Sequence, residues 1–224
     1  MRCKYCNNKC VKKGKINGKQ RYQCKECKRT QQLSYIYNKK VKDEKFLTML
    51  NNEGVGISSI SRLMNIPKTT VQRLIQKISK ELKPCEIEES DQLYEIDEIK
   101  TFVGNKKNES WVIYGINKLT GKAISFCIGR RNKENIKKVV DAILNLNPQK
   151  IFTDGLNVYP GLIPKKIHRV FVYNTNKIER FNLNFRTHLK RLCRKTICFS
   201  RSEEMLYNCV NLYMTKNNNL VFGE

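Results

Sequence analysis

The sequence predicts an α/β protein in several parts: a cysteine-rich ribbon, a set of short helices, and a mixed sheet with helices packed on it. Three observations predict it. Two Cys-x2-Cys pairs stand in the first 27 residues. Apolar residues recur at spacings of three and four between 43 and 82. Beyond Pro84, short β-type runs alternate with helical ones and end in a long amphipathic helix. The expected divisions are 1–40, 41–84 and 85–224.

The ribbon comes first. Cys3 and Cys6 are followed by seventeen residues and then by Cys24 and Cys27. Each pair presents two thiolates from one tight knuckle, and two facing knuckles complete a tetrahedral Zn²⁺ site. Between them, Lys15 to Tyr22 reads as a hairpin turning at Asn17-Gly18. A segment so short and polar needs the metal to fold. Cys10 is either a spare thiol or a replacement for Cys6.

Helices follow. Asp43 to Asn52 carries Phe46, Leu47 and Leu50 at helical spacing. Ser58 to Met64 is a short helix, Asn65-Ile66-Pro67 a turn, and Lys68 to Leu82 a longer helix with Val71, Leu74, Ile75 and Ile78 on one face. Helix, tight turn and helix form a helix-turn-helix. Lys68, Thr69, Thr70, Gln72 and Arg73 begin the second helix, where they would meet the major groove of DNA.

Charge supports that partner. The chain of 224 residues holds 44 Lys+Arg against 20 Asp+Glu, a net of +24. Residues 1–50 account for +12 of it, fifteen basic residues against three acids. A surplus of this size marks a polyanion partner. Apolar residues make up 40% of the chain, too many for a disordered basic tail. No run of about eighteen apolar residues occurs, so no membrane span is expected. With no secretory leader before Cys3, the expected place is the cytoplasm, associated with the nucleoid.

From Glu86 to Glu98 the charge inverts, with seven acids and no Lys or Arg, which marks a boundary. Strands are expected at 94–103, 111–116, 123–128, 150–153 and 167–173, and helices at 132–146 and 176–194. Three acids stand out. Asp97 lies on the first strand, Asp154 ends the fourth, and Glu179 sits in the first turn of the late helix. Three converging carboxylates would suit two divalent ions acting on a phosphodiester, and hard Mg²⁺ (or Mn²⁺) favours such oxygens. Each acid has a plainer reading. Asp154-Gly155 is a common turn pair, Glu179 lies at capping-box distance from Asn176, and Glu98 rivals Asp97 as the functional residue. From Lys165 to Arg201 there are eleven basic residues and one acid, Glu179. Arg180, Arg186 and Lys190 on this helix would hold phosphates around that acid.

Four strings carry a resemblance: Asp97-Glu-Ile-Lys-Thr-Phe-Val-Gly-Asn-Lys-Lys107, Thr153-Asp154-Gly155, Asn174-Thr-Asn-Lys-Ile-Glu179-Arg-Phe-Asn-Leu-Asn-Phe-Arg186, and Arg194-Lys-Thr-Ile-Cys-Phe-Ser200. They resemble the transposases of insertion sequence 1, over nearly the whole chain. The resemblance implies an RNase H-like core with an Asp-Asp-Glu triad, carried by Asp97, Asp154 and Glu179. It implies that the N-terminal part binds terminal inverted repeats, and that Arg186 steadies the end DNA. Phe181 departs from the family, which often has His there. The function expected is a DNA transposase that cleaves at 3′ ends and joins them to target DNA, working as a homodimer or larger assembly. Two rivals are a zinc-ribbon and helix-turn-helix regulator without catalysis, and a nuclease on the same core.

Overall fold

The computed structural model describes residues 1–33, 43–82, 90–170, 176–193 and 195–220. The chain divides into two compact units, Met1–Lys42 and Asp43–Glu224.

The first unit is a three-stranded antiparallel sheet of β1 (Cys10–Ile16), β2 (Lys19–Cys24) and β3 (Thr30–Gln32), in that order. Asn17 and Gly18 join β1 to β2 with φ of 47° and 73°. Two successive positive φ values are what a type I′ hairpin turn demands. Among its described residues the unit buries little: the apolar Cys3, Cys10 and Cys24, with Tyr22 against them, and the polar Gln31. β3 was not expected from the sequence, being three polar residues long.

The second unit begins with α1 (Glu44–Asn52), α2 (Ile57–Leu63) and α3 (Lys68–Glu81). The Asp43 side chain caps α1 by accepting from the Phe46 N–H at 2.9 Å. Between α2 and α3, Asn65 takes a left-handed φ of 49° and Pro67 opens α3. Leu47, Leu50, Ile60, Val71, Leu74 and Ile75 face one another. They do not close their own core. Met205, Cys209 and Leu212 of a last helix, α6 (Glu203–Leu220), complete it. The Asn211 side chain adds bonds to the Ser79 carbonyl and hydroxyl at 3.1 and 3.0 Å. The expected boundary at 84/85 lies outside the described residues, and the chain on both sides of it belongs to one unit.

The five-stranded sheet has the order β6-β5-β4-β7-β8. β4 (Leu93–Val103), β5 (Asn105–Asn117) and β6 (Ala123–Gly129) run antiparallel, while β7 (Lys150–Thr153) and β8 (His168–Val170) are parallel to β4. The expected fifth strand reaches into residues 171–173, outside the described residues. α4 (Lys133–Leu144) covers one face, over Tyr94, Ile96 and Ile113. α5 (Asn176–His188) and α6 cover the other, over Ile99, Val112, Tyr114 and Ile116. β4 therefore alternates: Glu95, Asp97 and Ile99 point toward α5, and Tyr94, Ile96 and Glu98 toward α4. α5 buries Ile178, Phe181 and Phe185 as its spacing predicts, but it ends at His188, six residues short of expectation.

Candidate metal and catalytic sites

In the first unit, Cys3, Cys6, Cys24 and Cys27 place their sulfurs within 4.8 Å of one another. Cys3 and Cys27 are 3.6 Å apart and Cys6 and Cys24 3.4 Å. Zn–S bonds of about 2.3 Å in a tetrahedron set sulfurs about 3.8 Å apart, so the group fits the ion. Asn7 and Lys28, one residue past the second cysteine of each pair, both take a left-handed φ (59° and 57°), so the two knuckles share one shape. The Tyr5 backbone N–H donates to Cys3 Sγ at 3.4 Å and holds that thiol low, at about 6, against burial. Cys10 stands outside the four. It is buried against Cys3 and Cys24, within reach of the Gln31 amide at 3.7 Å. Spacing alone left Cys6 and Cys10 as rivals, and the geometry brings in Cys6.

In the second unit, Asp97, Glu98 and Asp154 bring one carboxylate oxygen each within 4.8 Å of the others. The parallel register pairs Glu95 with Phe152. Two residues further on, Asp97 on the central strand stands beside Asp154, just past the end of β7. Gly155 follows with φ of 80°, and the Leu156 N–H donates back to Asp154 Oδ1 at 3.1 Å, turning the chain sharply there. Glu98 points to the other face, where it accepts a hydrogen bond from the buried Tyr159 hydroxyl.

The electrostatics follow from crowding in a poorly solvated place. Burial raises Asp97 above the usual carboxylate range, opposed by N–H groups of Glu98 and Asn182 and reinforced by Asp154. Burial likewise raises Glu98 to about 7, against the Tyr159 hydrogen bond and with the charges of Asp154 and Asp97 adding to it. Three hard oxygen donors that repel one another are a fit for a divalent cation, which would offset that repulsion.

α5 is tied to this strand at two points. The Glu95 carboxylate accepts from the Ile178 N–H at 3.1 Å, in the first turn of α5, and pairs with Lys118 at 2.9 Å. One turn on, the Asn182 amide donates to Asp97 Oδ2 at 2.5 Å, while its own oxygen accepts from the Tyr114 hydroxyl at 2.7 Å. Glu179 lies between these two ties, exposed, and outside the carboxylate group. The side chain of α5 that reaches Asp97 is Asn182, three residues along the same face. Glu179 instead lines a hollow of about 780 Å³ with Arg186, Lys190 and Asn182.

A family model described as IS1 transposase matches residues 92–219, which span both faces of the sheet and every carboxylate above. The chain belongs to the IS1 transposase family. Among its relatives is the insertion element iso-IS1n protein InsB of Shigella dysenteriae, 35% identical over 55% of this chain and 94% of its own length. The IS1 4 protein InsB of Escherichia coli K12 is 30% identical over 54% of this chain and 72% of its own, and the IS1 protein InsB of Shigella flexneri 29% over 54% and 92%.

Phe181 packs into this IS1-type core. That ring is buried, stacked 5.3 Å from Tyr114. The other expected DNA-contacting residues lie on helix surfaces. Lys68, Thr69, Gln72, Arg73, Arg180 and Lys190 are exposed, and Thr70 and Arg186 partly so. Sequence reasoning did not single out Glu95, Tyr114 or Tyr159. Glu95 could have been found from strand alternation, because it shares a face with Asp97 two residues away. Tyr159 had no such signal. Among the described residues, no helix is long and apolar enough to cross a membrane.

Proposed function

We propose that the chain is a DNA transposase that binds the terminal inverted repeats of its element, cleaves at the 3′ ends and joins them to target DNA. The observation that carries the reading is the meeting of Asp97 with Asp154 where two parallel strands lie side by side. The sheet order, with β4 at its centre, is consistent with an RNase H-like core.

In this reading Asp97 and Asp154 hold Mg²⁺ or Mn²⁺, and Glu179 completes the site from α5. Bound ions would activate water or a 3′-hydroxyl and stabilise the leaving oxygen. Asn182 keeps the Asp97 carboxylate aimed, and Glu95 fixes the turn of α5 that carries Glu179. Arg180, Arg186 and Lys190 hold the phosphates. Zn²⁺ on Cys3, Cys6, Cys24 and Cys27 folds the ribbon. Lys68, Thr69, Thr70, Gln72 and Arg73 make α3 the recognition helix of a helix-turn-helix. Joining two ends calls for a homodimer or larger assembly.

The test incubates purified protein with Mg²⁺, labelled element ends and plasmid. A joined product is expected, lost in Asp154→Asn and in Glu179→Gln with end binding retained. Cleavage without joined product would sink the transposase reading in favour of a nuclease. Loss of activity in Glu98→Gln alone, with Glu179→Gln active, would move the third ligand to β4.

A further inference from the structure

Three hollows on the second unit share wall residues from one to the next. The first lies along α5 and is lined by Glu179, Asn182, Arg186 and Lys190. The second, of about 330 Å³, shares Lys190 with it and lies between the α1–α2 loop and the segment after α5. The third, of about 450 Å³, shares Gly56, Arg191 and Cys198 with the second and opens at the start of α3, at Thr69, Gln72 and Arg73. Linked by these shared walls, the three hollows form a trough in three parts from the helix carrying Glu179 to the exposed first turns of α3.

Its floor is set by a close approach. Gly54 takes φ of 75°, and a Cβ there would stand 2.5 Å from the His188 carbonyl oxygen. Only glycine lets the α1–α2 loop rest so tightly on the end of α5. Arg191 is held in the wall as well: it donates to Ser200 Oγ at 2.7 Å, and its carbonyl accepts from Thr101 Oγ1 at 2.9 Å. Five basic residues line the trough (Arg73, Arg186, Lys190, Arg191 and Arg201) against the acids Glu53 and Glu179. Ser58, Thr69, Gln72 and Ser202 add neutral polar groups.

The geometry points to a track for the sugar–phosphate backbone of DNA, running from α3 past Arg201, Arg191 and Lys190 to Glu179 and Asn182 on α5. Its chemistry is that of phosphate contacts, which set register and carry no sequence information. It adds Arg191, Arg201 and the segment 198–202 to the DNA-binding surface. It rests on DNA being the substrate, as proposed above.

The test measures binding of a fluorescein-labelled duplex carrying the element's terminal repeat by anisotropy, over a range of KCl concentrations, without divalent metal. Each phosphate contact contributes a slope of about 0.9 in log K against log salt, so losing two weakens binding about 60-fold at about 0.1 M salt. The double variant Lys190→Gln/Arg201→Gln is expected to show that loss and a slope shallower by about 1.8. Lys133→Gln/Lys137→Gln, on α4 across the sheet, removes the same charge and is expected to lose far less. Equal losses in the two variants would overturn the track while leaving DNA binding standing. A wild-type protein that binds no DNA would overturn the transposase reading and the track together. On the unaltered protein, DNA is expected to protect Cys198 from N-ethylmaleimide. Undiminished labelling of Cys198 at saturating DNA counts against the track.

Discussion

Replacing Asn182 with Ala tests whether α5 aims the Asp97 carboxylate. The substitution removes a donor 2.5 Å from Asp97 Oδ2 and leaves the Tyr114 hydroxyl without its acceptor at 2.7 Å. A hydrogen bond to a charged group is worth about 1.5–3 kcal/mol. If that energy holds Asp97 in the orientation its metal needs, its loss raises the apparent Mg²⁺ constant between about tenfold and a hundredfold or more, since about 1.4 kcal/mol is a factor of ten. The assay is the rate of end cleavage as a function of Mg²⁺ concentration, with thermal melting as the check on folding. Tyr114→Phe is expected to shift the constant the same way by a smaller amount. The double variant is expected to match Asn182→Ala alone, because Tyr114 acts through Asn182. A lowered melting temperature with an unchanged Mg²⁺ dependence would show a merely structural contact and refute the reasoning.

Glu98, raised to about 7 by burial, favours the folded state when protonated. Its contribution is complete below the unfolded value near 4.5 and is lost as pH rises through about 7. Without added divalent metal, the wild type is expected to lose about 2.5 kcal/mol of stability between about pH 5 and pH 8 relative to Glu98→Gln, read from urea melts. Cys6→Ser is expected to release zinc and unfold the first unit, whereas Cys10→Ser keeps one zinc per chain by metal analysis. Gly54→Ala is expected to cost upwards of about 2 kcal/mol, because left-handed strain and a clash with the His188 carbonyl act together. Its melting temperature would fall while zinc content stays the same.

Much of the architecture was legible in single stretches of sequence. The Asn-Gly hairpin turn needs φ values that few residues adopt, so two letters suffice to place it. α3 and α5 each bury one face, and their apolar spacing shows it. α6 was not anticipated, and the reason is physical. It packs Leu206, Val210 and Tyr213 against the sheet and Met205, Cys209 and Leu212 against α1–α3, so its apolar residues are split between two faces and show no one-sided period. The buried Glu95 resembles the six other acids of 86–98 in composition alone, and only strand alternation, which puts it on the face of Asp97, sets it apart.

The sequence by itself determined which residue types were available for chemistry: four cysteines in two Cys-x2-Cys pairs, three acids set apart by position, and a late helix rich in Arg and Lys. Periodicity and turn chemistry are local, so these could be placed on strands, turns and helices one at a time. Which of them meet was decided by tertiary structure. The parallel register of β4 and β7 puts Asp97 beside Asp154, with an oxygen of Glu98 within 4.8 Å of both, and the docking of α5 gives Asp97 to Asn182 rather than to Glu179. Such meetings depend on register and packing between segments dozens of residues apart, and no local pattern encodes them.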